Sequence, residues 1–241
     1  MTEPVDLASG ASAEVQARLA IALDVDDAVA ALRVARAVKP WFGVAKVGLE
    51  LYSAVGPDVL TSLQDLGFEV FADLKFHDIP TTVGRAARVV GALGARYLNF
   101  HALGGLDMLR AGAEGLRAGA AAAGHPAPVA LGVTVLTSDA DAPAGELERR
   151  AALARDAGCD GVVCAATDLP VIRSVGPDLV TVVPGIRTAG AARHDQVRVA
   201  TPGAAIAAGA TVLVVGRTVT EADDPAAAAA AVAAEVAAAL A

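Results

Sequence analysis

Aromatic side chains are scarce: Phe, Trp and Tyr make up 3% of the 241 residues. Proteins that bind single-stranded nucleic acid stack bases on such rings, so that class of partner finds few platforms here. Positive charge is also in deficit. The chain carries 19 Lys and Arg against 27 Asp and Glu, a formal net charge of −8. A basic face for nucleic acid or an anionic lipid surface is therefore not the default. Cysteine occurs twice, as Cys159 and Cys164, without C-x-x-C spacing. Two buried free thiols in a reducing cytosol are the expectation. No run of 18 strongly apolar residues occurs, and Met1–Gly10 is acidic, with no basic segment leading into an apolar one. Neither a membrane span nor a secretory signal is expected, and the location expected is cytoplasmic. Walker A, HExxH and GxSxG motifs are missing, as is a GxGxxG pattern in the right context. The chemistry is expected to use neither a metal nor an organic cofactor.

What the chain has in abundance is Ala, Val and Leu. Hydrophobic residues reach 55% and charged residues 19%, enough for a sizeable core. Short Val/Ile/Leu-rich runs alternate with longer Ala/Leu/Arg segments. The runs predict strands at Leu19–Val25, Gly43–Gly48, Glu69–Lys75, Tyr97–His101, Val129–Thr134, Gly161–Cys164, Leu179–Val183 and Thr211–Val215. Helical patterns follow, among them Asp27–Val38, Val83–Leu93, Leu106–Ala123 and Glu146–Ala157. Such alternation implies parallel strands joined by right-handed crossovers. Eight units at this length point to an α/β fold, a closed (β/α)8 TIM barrel, over an open doubly wound sheet. The reading is a single domain over 1–241, with a short extension at 1–18 and an Ala-rich terminal helix at 225–241.

In such a barrel, reactive groups belong at the C-terminal ends of the strands. The stretch Asp73-Leu74-Lys75-Phe76-His77-Asp78-Ile79-Pro80 ends the third predicted strand. Side chains alternate along a strand, so Phe71, Asp73 and Lys75 share one face, pointing into the barrel mouth. A buried Asp beside a buried Lys is costly unless the two are paired. From this pair alone, an ion pair that plugs the barrel and a reactive site are equally good readings. Lys46 ends the second strand and Asp24 the first, where Asp24 competes with Asp26 and Asp27 to cap a helix. Taken together, Asp24, Lys46, Asp73, Lys75 and Asp78 form a mouth of alternating charge that keeps an ammonium proton donor beside fixed negative charge. Asn99 and His101 share the inward face of the fourth strand. His101 reads better as a hydrogen-bonded core residue than as an acid or a ligand.

The loops after the last two strands carry Pro184-Gly185-Ile186-Arg187 and Gly216-Arg217-Thr218. Those two strand ends are a common phosphate site in this fold. Glycine lets the backbone approach an anion, and arginine adds a charged clamp. Either pair alone fits an ordinary turn; both at the two correct ends point to phosphate. Gln196 lies nearby in sequence, and Thr137 opens the loop after the fifth strand as either a helix cap or a ligand contact.

These motifs resemble the bacterial orotidine 5′-phosphate decarboxylases. Ala22-Leu23-Asp24, Lys46-Val47-Gly48-Leu49-Glu50, Asp73 through Thr82, Val135-Leu136-Thr137-Ser138, Gly161-Val162-Val163-Cys164, Pro184-Gly185-Ile186-Arg187 and Val215-Gly216-Arg217 run in order through nearly the whole chain. The resemblance implies conversion of orotidine 5′-phosphate to uridine 5′-phosphate, the last step of pyrimidine nucleotide synthesis, without metal or cofactor. It implies Lys75 as proton donor, with Lys46, Asp73 and Asp78 completing the catalytic network. It implies a homodimer in which Asp78 and Thr82 reach the neighbouring subunit's site. Asp24, Lys46, Thr82 and Thr137 match substrate contacts, and Arg187, Gln196, Gly216 and Arg217 match the phosphate side. One departure is visible: Thr81 stands where the family often has Asn. Two other readings compete. One is an Mg²⁺-dependent sugar-phosphate decarboxylase or synthase of the same barrel group; the other is a non-catalytic barrel that binds a phosphorylated metabolite.

Overall fold

Eight strands run in sequence order around a closed parallel barrel, β1-β2-β3-β4-β5-β6-β7-β8, with β8 hydrogen-bonded back to β1. The computed structural model describes residues 10–136, 143–188 and 199–241. The strands are β1 (Leu19–Ala22), β2 (Val44–Gly48), β3 (Glu69–Phe76), β4 (Tyr97–His101), β5 (Val129–Val133), β6 (Gly161–Val163), β7 (Val180–Val183) and β8 (Val212–Val215). All eight fall within a few residues of the runs predicted from composition, and the closed sheet excludes the open doubly wound alternative. Helix Pro225–Leu240 occupies the Ala-rich terminus, and a short helix, Ala13–Ala17, precedes β1. No helix among the described residues is long and apolar enough to cross a membrane.

The period-two alternation of the strands separates two apolar cores. Inside the barrel, Ala20, Ala22, Val44, Phe71, Tyr97, Val129, Leu131, Val182, Val212 and Val214 pack together. Their strand neighbours, such as Ile21, Ala45, Val70, Leu98 and Leu213, face outward into a larger core shared with the helices. This inner filling, small and branched residues together with the rings of Phe71 and Tyr97, packs the barrel beneath its upper mouth. Lateral register carries this layering around the wall: Ala22 pairs with Lys46, Lys46 with Phe71, Phe71 with Tyr97, and Tyr97 with Val129.

Helix starts are set by local chemistry. Asp27 accepts a hydrogen bond from the Ala30 amide at 2.6 Å and caps helix Ala28–Val38. Asp224 accepts from Ala226 and Ala227, each at 3.0 Å, and caps the terminal helix. Pro80 opens helix Pro80–Ala92 at its first turn, where a missing N–H costs nothing. Asp27 thus takes the capping role, and Asp24 remains available for other work.

Candidate active site

The charged residues of the first three strands converge at the C-terminal mouth. Lys46, on the inward face of β2, is buried. Its ammonium lies 2.8 Å from Asp24 Oδ1 and 3.3 Å from Asp73 Oδ2. Lys75 Nζ lies 2.5 Å from the other Asp73 oxygen, Oδ1. The order is therefore Asp24, Lys46, Asp73, Lys75, with signs alternating at each step. Desolvating an ammonium costs several kcal/mol unless opposite charge compensates it, and Lys46 meets two carboxylates. Exposure differs along the row: the Asp24 side chain is 55% exposed, Lys75 35% and Asp73 14%. The two ends of the row are open to a ligand and the middle is fixed.

Burial pushes the Asp73 carboxyl up. The Lys46 and Lys75 ammonium groups, with hydrogen bonds from Lys75 and Asn99, outweigh it and hold Asp73 below the ordinary carboxylate range. Asp73 is therefore a fixed negative charge. Asn99, fully buried on β4, donates from Nδ2 to Asp73 Oδ1 at 2.7 Å. Its Oδ1 accepts the backbone N–H of Lys75, also at 2.7 Å. Lys75 has φ of +46°, in the left-handed region. For a side chain with a Cβ that conformation costs on the order of 1–3 kcal/mol and persists only where its surroundings enforce it. It falls within a register shift: Ala72 pairs with Leu98, yet Phe76 pairs with Phe100, so β3 advances four residues while β4 advances two. The irregularity re-aims the strand end without breaking the inward alternation of Phe71, Asp73 and Lys75.

A cavity of about 230 Å³ lies over this row. Asp24, Lys46, Asp73 and Lys75 line one side. Gly185, Arg187, Gly216 and Arg217, from the ends of β7 and β8, line the other. Phe71, Val133, Val163 and Val214 form an apolar floor between them. The loops after β7 and β8 are tied together by Thr218 Oγ1, which donates to the Ile186 carbonyl at 3.2 Å, and the Arg187 amide donates to the Ala200 carbonyl at 2.9 Å. Gly185 has φ of +77°, which only glycine adopts without strain, so the Pro184-Gly185 turn requires it. Charge of both signs at one end, two arginines at the other and a greasy floor suit a ring with a polar substituent and a distant anion.

The remaining site residues stand elsewhere. Asp78 accepts a hydrogen bond from the Ile79 amide at 2.6 Å and lies beside His77, Pro80 and Leu103, outside the central cavity. Thr82 is exposed on the first turn of its helix. Within one chain, neither reaches the Lys/Asp row. Thr137 and Gln196 lie outside the described residues. His101 accepts the Leu103 amide on Nδ1 at 3.3 Å and stacks on His77 with ring centroids 5.7 Å apart. Among the described residues no group of three His, Cys, Asp or Glu converges as a metal-binding cluster.

Two contributors had no role in the sequence reading. Asn99 was placed on the inward face of its strand, but the bulge that brings it to both Asp73 and Lys75 leaves no mark in residue order. Gly48 pairs laterally with Asp73, and a Cβ there would lie 2.8 Å from Asp24 Oδ1 and 3.2 Å from Lys46 Nζ. A glycine two residues beyond a charged strand residue, and so on the same face, is the signal that could have found it.

A single-domain (β/α)8 barrel with a Lys/Asp row at its mouth is the class this fold and site define. Comparison with known proteins narrows it. Residues 17–232 match the family model described as "Orotidine 5'-phosphate decarboxylase / HUMPS family". The orotidine 5′-phosphate decarboxylase of Moorella thermoacetica is 47% identical over 231 residues, covering 91% of this chain and 92% of that protein. The protein of the same name from Thermobifida fusca is 47% identical over 232 residues, covering 91% and 96%. Among solved structures, the orotidine 5′-phosphate decarboxylase of Lactobacillus acidophilus aligns with a TM-score of 0.78 at 35% identity, over 90% of this chain and 98% of that one. This chain belongs to the orotidine 5′-phosphate decarboxylase / HUMPS family.

Proposed function

We propose that this protein decarboxylates orotidine 5′-phosphate to uridine 5′-phosphate, with Lys75 as the proton donor and no cofactor. One observation carries the reading: the row Asp24–Lys46–Asp73–Lys75 faces Arg187 and Arg217 across a single cavity. The names of the relatives support the substrate. Breaking the ring carbon–carboxyl bond releases CO2 and leaves the electron pair in the ring plane, where the π system cannot spread it. Stabilisation must come from fixed charge. Asp73, held ionised by its two lysines, opposes the substrate carboxylate and favours its departure. Lys75 places positive charge where the pair develops and then gives that carbon a proton; solvent restores the ammonium. Preorganised groups of this kind are worth about 3–4 kcal/mol each.

Arg187, Gly216, Arg217 and Gln196 take the phosphate in this scheme, and Asp24, Lys46 and Thr137 contact the rest of the nucleotide. The phosphate is remote from the reacting carbon, so its binding energy can drive closure and strain at the ring. Asp78 and Thr82 complete the site of a neighbouring subunit in a homodimer. The apolar side chains beside Asp78 support that arrangement: Ile79 is 66% exposed and Leu103 52% exposed. A cytoplasmic location accords with this activity.

The test is loss of orotidylate ultraviolet absorbance with purified protein, with and without EDTA. The expected result is a decline unchanged by the chelator. No decline overturns the activity, and a decline abolished by EDTA overturns the metal-free mechanism. Lys75→Ala is expected to abolish turnover while the circular dichroism spectrum persists; turnover retained in that variant rejects the proton-donor role.

A further inference from the structure

Two irregularities coincide at Lys75. It is the single non-glycine residue with positive φ among the described residues, and it sits inside the β3–β4 register shift. Where a bulge interrupts a ladder, the amide of the displaced residue needs another acceptor. That acceptor is a side chain, Asn99 Oδ1, at 2.7 Å. The other end of the same amide donates to Asp73 Oδ1 at 2.7 Å. Asn99 is fully buried, so water does not compete for either bond. A primary amide accepts and donates at once, whereas a carboxylate only accepts and an alkyl group does neither.

We infer that Asn99 is a positioning residue for the reaction: one amide holds the Lys75 backbone in its left-handed conformation and orients the Asp73 carboxylate. This rests on the reading of Lys75 and Asp73 as the two groups that face the reacting carbon. Asn99 bonds to both but does not itself line the cavity; it fixes the points from which they act. A left-handed residue relaxes unless its surroundings over-determine it. Rotation about φ would swing the Lys75 stem and carry its ammonium away from Asp73. Misplacement of a reacting group by about 1 Å costs on the order of 100-fold in rate.

Two variants separate the two bonds. Asn99→Ala removes both. Asn99→Asp keeps an oxygen for the Lys75 amide but puts a second carboxyl against Asp73. Hydrogen exchange at the Lys75 amide needs no turnover: protection is expected to fall at least about tenfold in Asn99→Ala and to stay near wild type in Asn99→Asp. In orotidylate turnover, Asn99→Ala is expected to lose about 100-fold in kcat with KM changed less than about threefold. Asn99→Asp is expected to gain a new limb in its pH profile. While the carboxyl pair shares a proton, residue 99 donates to Asp73 as the amide does; as pH rises and the proton leaves, kcat falls. A merely structural residue would not introduce that limb. A Lys75 amide as protected in Asn99→Ala as in wild type overturns the inference, as does kcat within about threefold of wild type. If Asn99→Ala fails to fold, the nearly isosteric Asn99→Asp decides by its pH limb. If the wild type does not turn over orotidylate, the function reading fails, and exchange at the Lys75 amide still judges the role of Asn99.

Discussion

Gly48 owes its missing side chain to Asp24. A Cβ at residue 48 would stand 2.8 Å from Asp24 Oδ1, the oxygen that pairs with Lys46. Backbone conformation is not the reason, since Gly48 has φ of −85°, which any residue adopts. Asp24 is more than half exposed and can swing into solvent, so Gly48→Ala is expected to change stability by less than about 1 kcal/mol. The charged hydrogen bond to Lys46 would be lost, and kcat/KM for orotidylate is expected to fall about 10- to 100-fold. Urea melts and steady-state kinetics on one preparation check both halves. A variant with unchanged kcat/KM would show that the Asp24–Lys46 contact is dispensable.

The left-handed φ of Lys75 predicts an inversion of the usual order of stabilities. In a strand, Gly is ordinarily less stable than Ala by about 0.5–1 kcal/mol. At φ of +46° the Cβ of alanine carries the strain and glycine does not. Lys75→Gly is therefore expected to equal or exceed Lys75→Ala in stability, by about 1 kcal/mol in urea denaturation. Both lack the ammonium, so activity plays no part in the comparison. Lys75→Ala being the more stable by the ordinary margin would count against backbone strain.

The barrel itself was legible because parallel strands buried on both faces read as short β-branched runs, and the runs at Val180–Val183 and Val212–Val215 do so plainly. Alternation alone was enough to put Asp73 and Lys75 on the inner face, and Lys46 joined them because its neighbours Ala45 and Val47 are apolar. What residue order does not encode is lateral register. The bulge between Ala72 and Phe76, and with it the meeting of Asn99, Asp73 and Lys75, arises from how β3 and β4 pair. The choice between Asp24 and Asp27 as helix cap was likewise open, because both have the right side chain and one turn of backbone decides. Position just beyond the third strand reads Asp78 into the charged mouth, but within one chain it lies on the outer rim, in the turn between Phe76 at the end of β3 and the helix that Pro80 begins.

Asp73 gives the acid limb of stability a definite sign. Its carboxyl is held below the ordinary value of 3.8 in the folded chain, so between that value and the folded one the unfolded chain binds the more protons. The contribution is complete above about pH 4 and is lost as pH falls through the folded value. Asp73→Asn removes this titration. The unfolding free energy of the wild type is expected to drop more steeply than that of the variant as pH falls below 4, measured by urea denaturation. Parallel slopes would mean that Asp73 is not held ionised by its lysines.

His101 titrates in the same sense at milder pH. Burial, followed by the charges of His77, Arg150 and Lys75, holds its imidazole below the ordinary 6.5. The folded chain therefore takes up its proton later than the unfolded chain, and stability declines as pH falls from 6.5 towards the folded value. His101→Gln is expected to flatten that part of the stability profile. A variant that retains the full decline would assign it to another group.

Substituting Arg217 tests whether binding of a phosphate is separate from chemistry at the ring. Arg217 lines the cavity at the end of β8, on a different strand end from the Lys/Asp row at β1–β3. If its work is to clamp the phosphate, its removal hurts only substrates that carry one. Arg217→Ala is expected to reduce kcat/KM for orotidine 5′-phosphate about 10- to 100-fold, the cost of a charge-assisted pair. For orotidine, which has the same ring and sugar but no phosphate, wild type and variant are expected to turn over at the same slow rate. Inorganic phosphite added with orotidine should raise the wild-type rate and leave that of the variant unchanged, because the free anion then occupies the clamp without a covalent link to the ring. An equal loss on both substrates would move Arg217 out of the phosphate site and into the machinery of the ring itself.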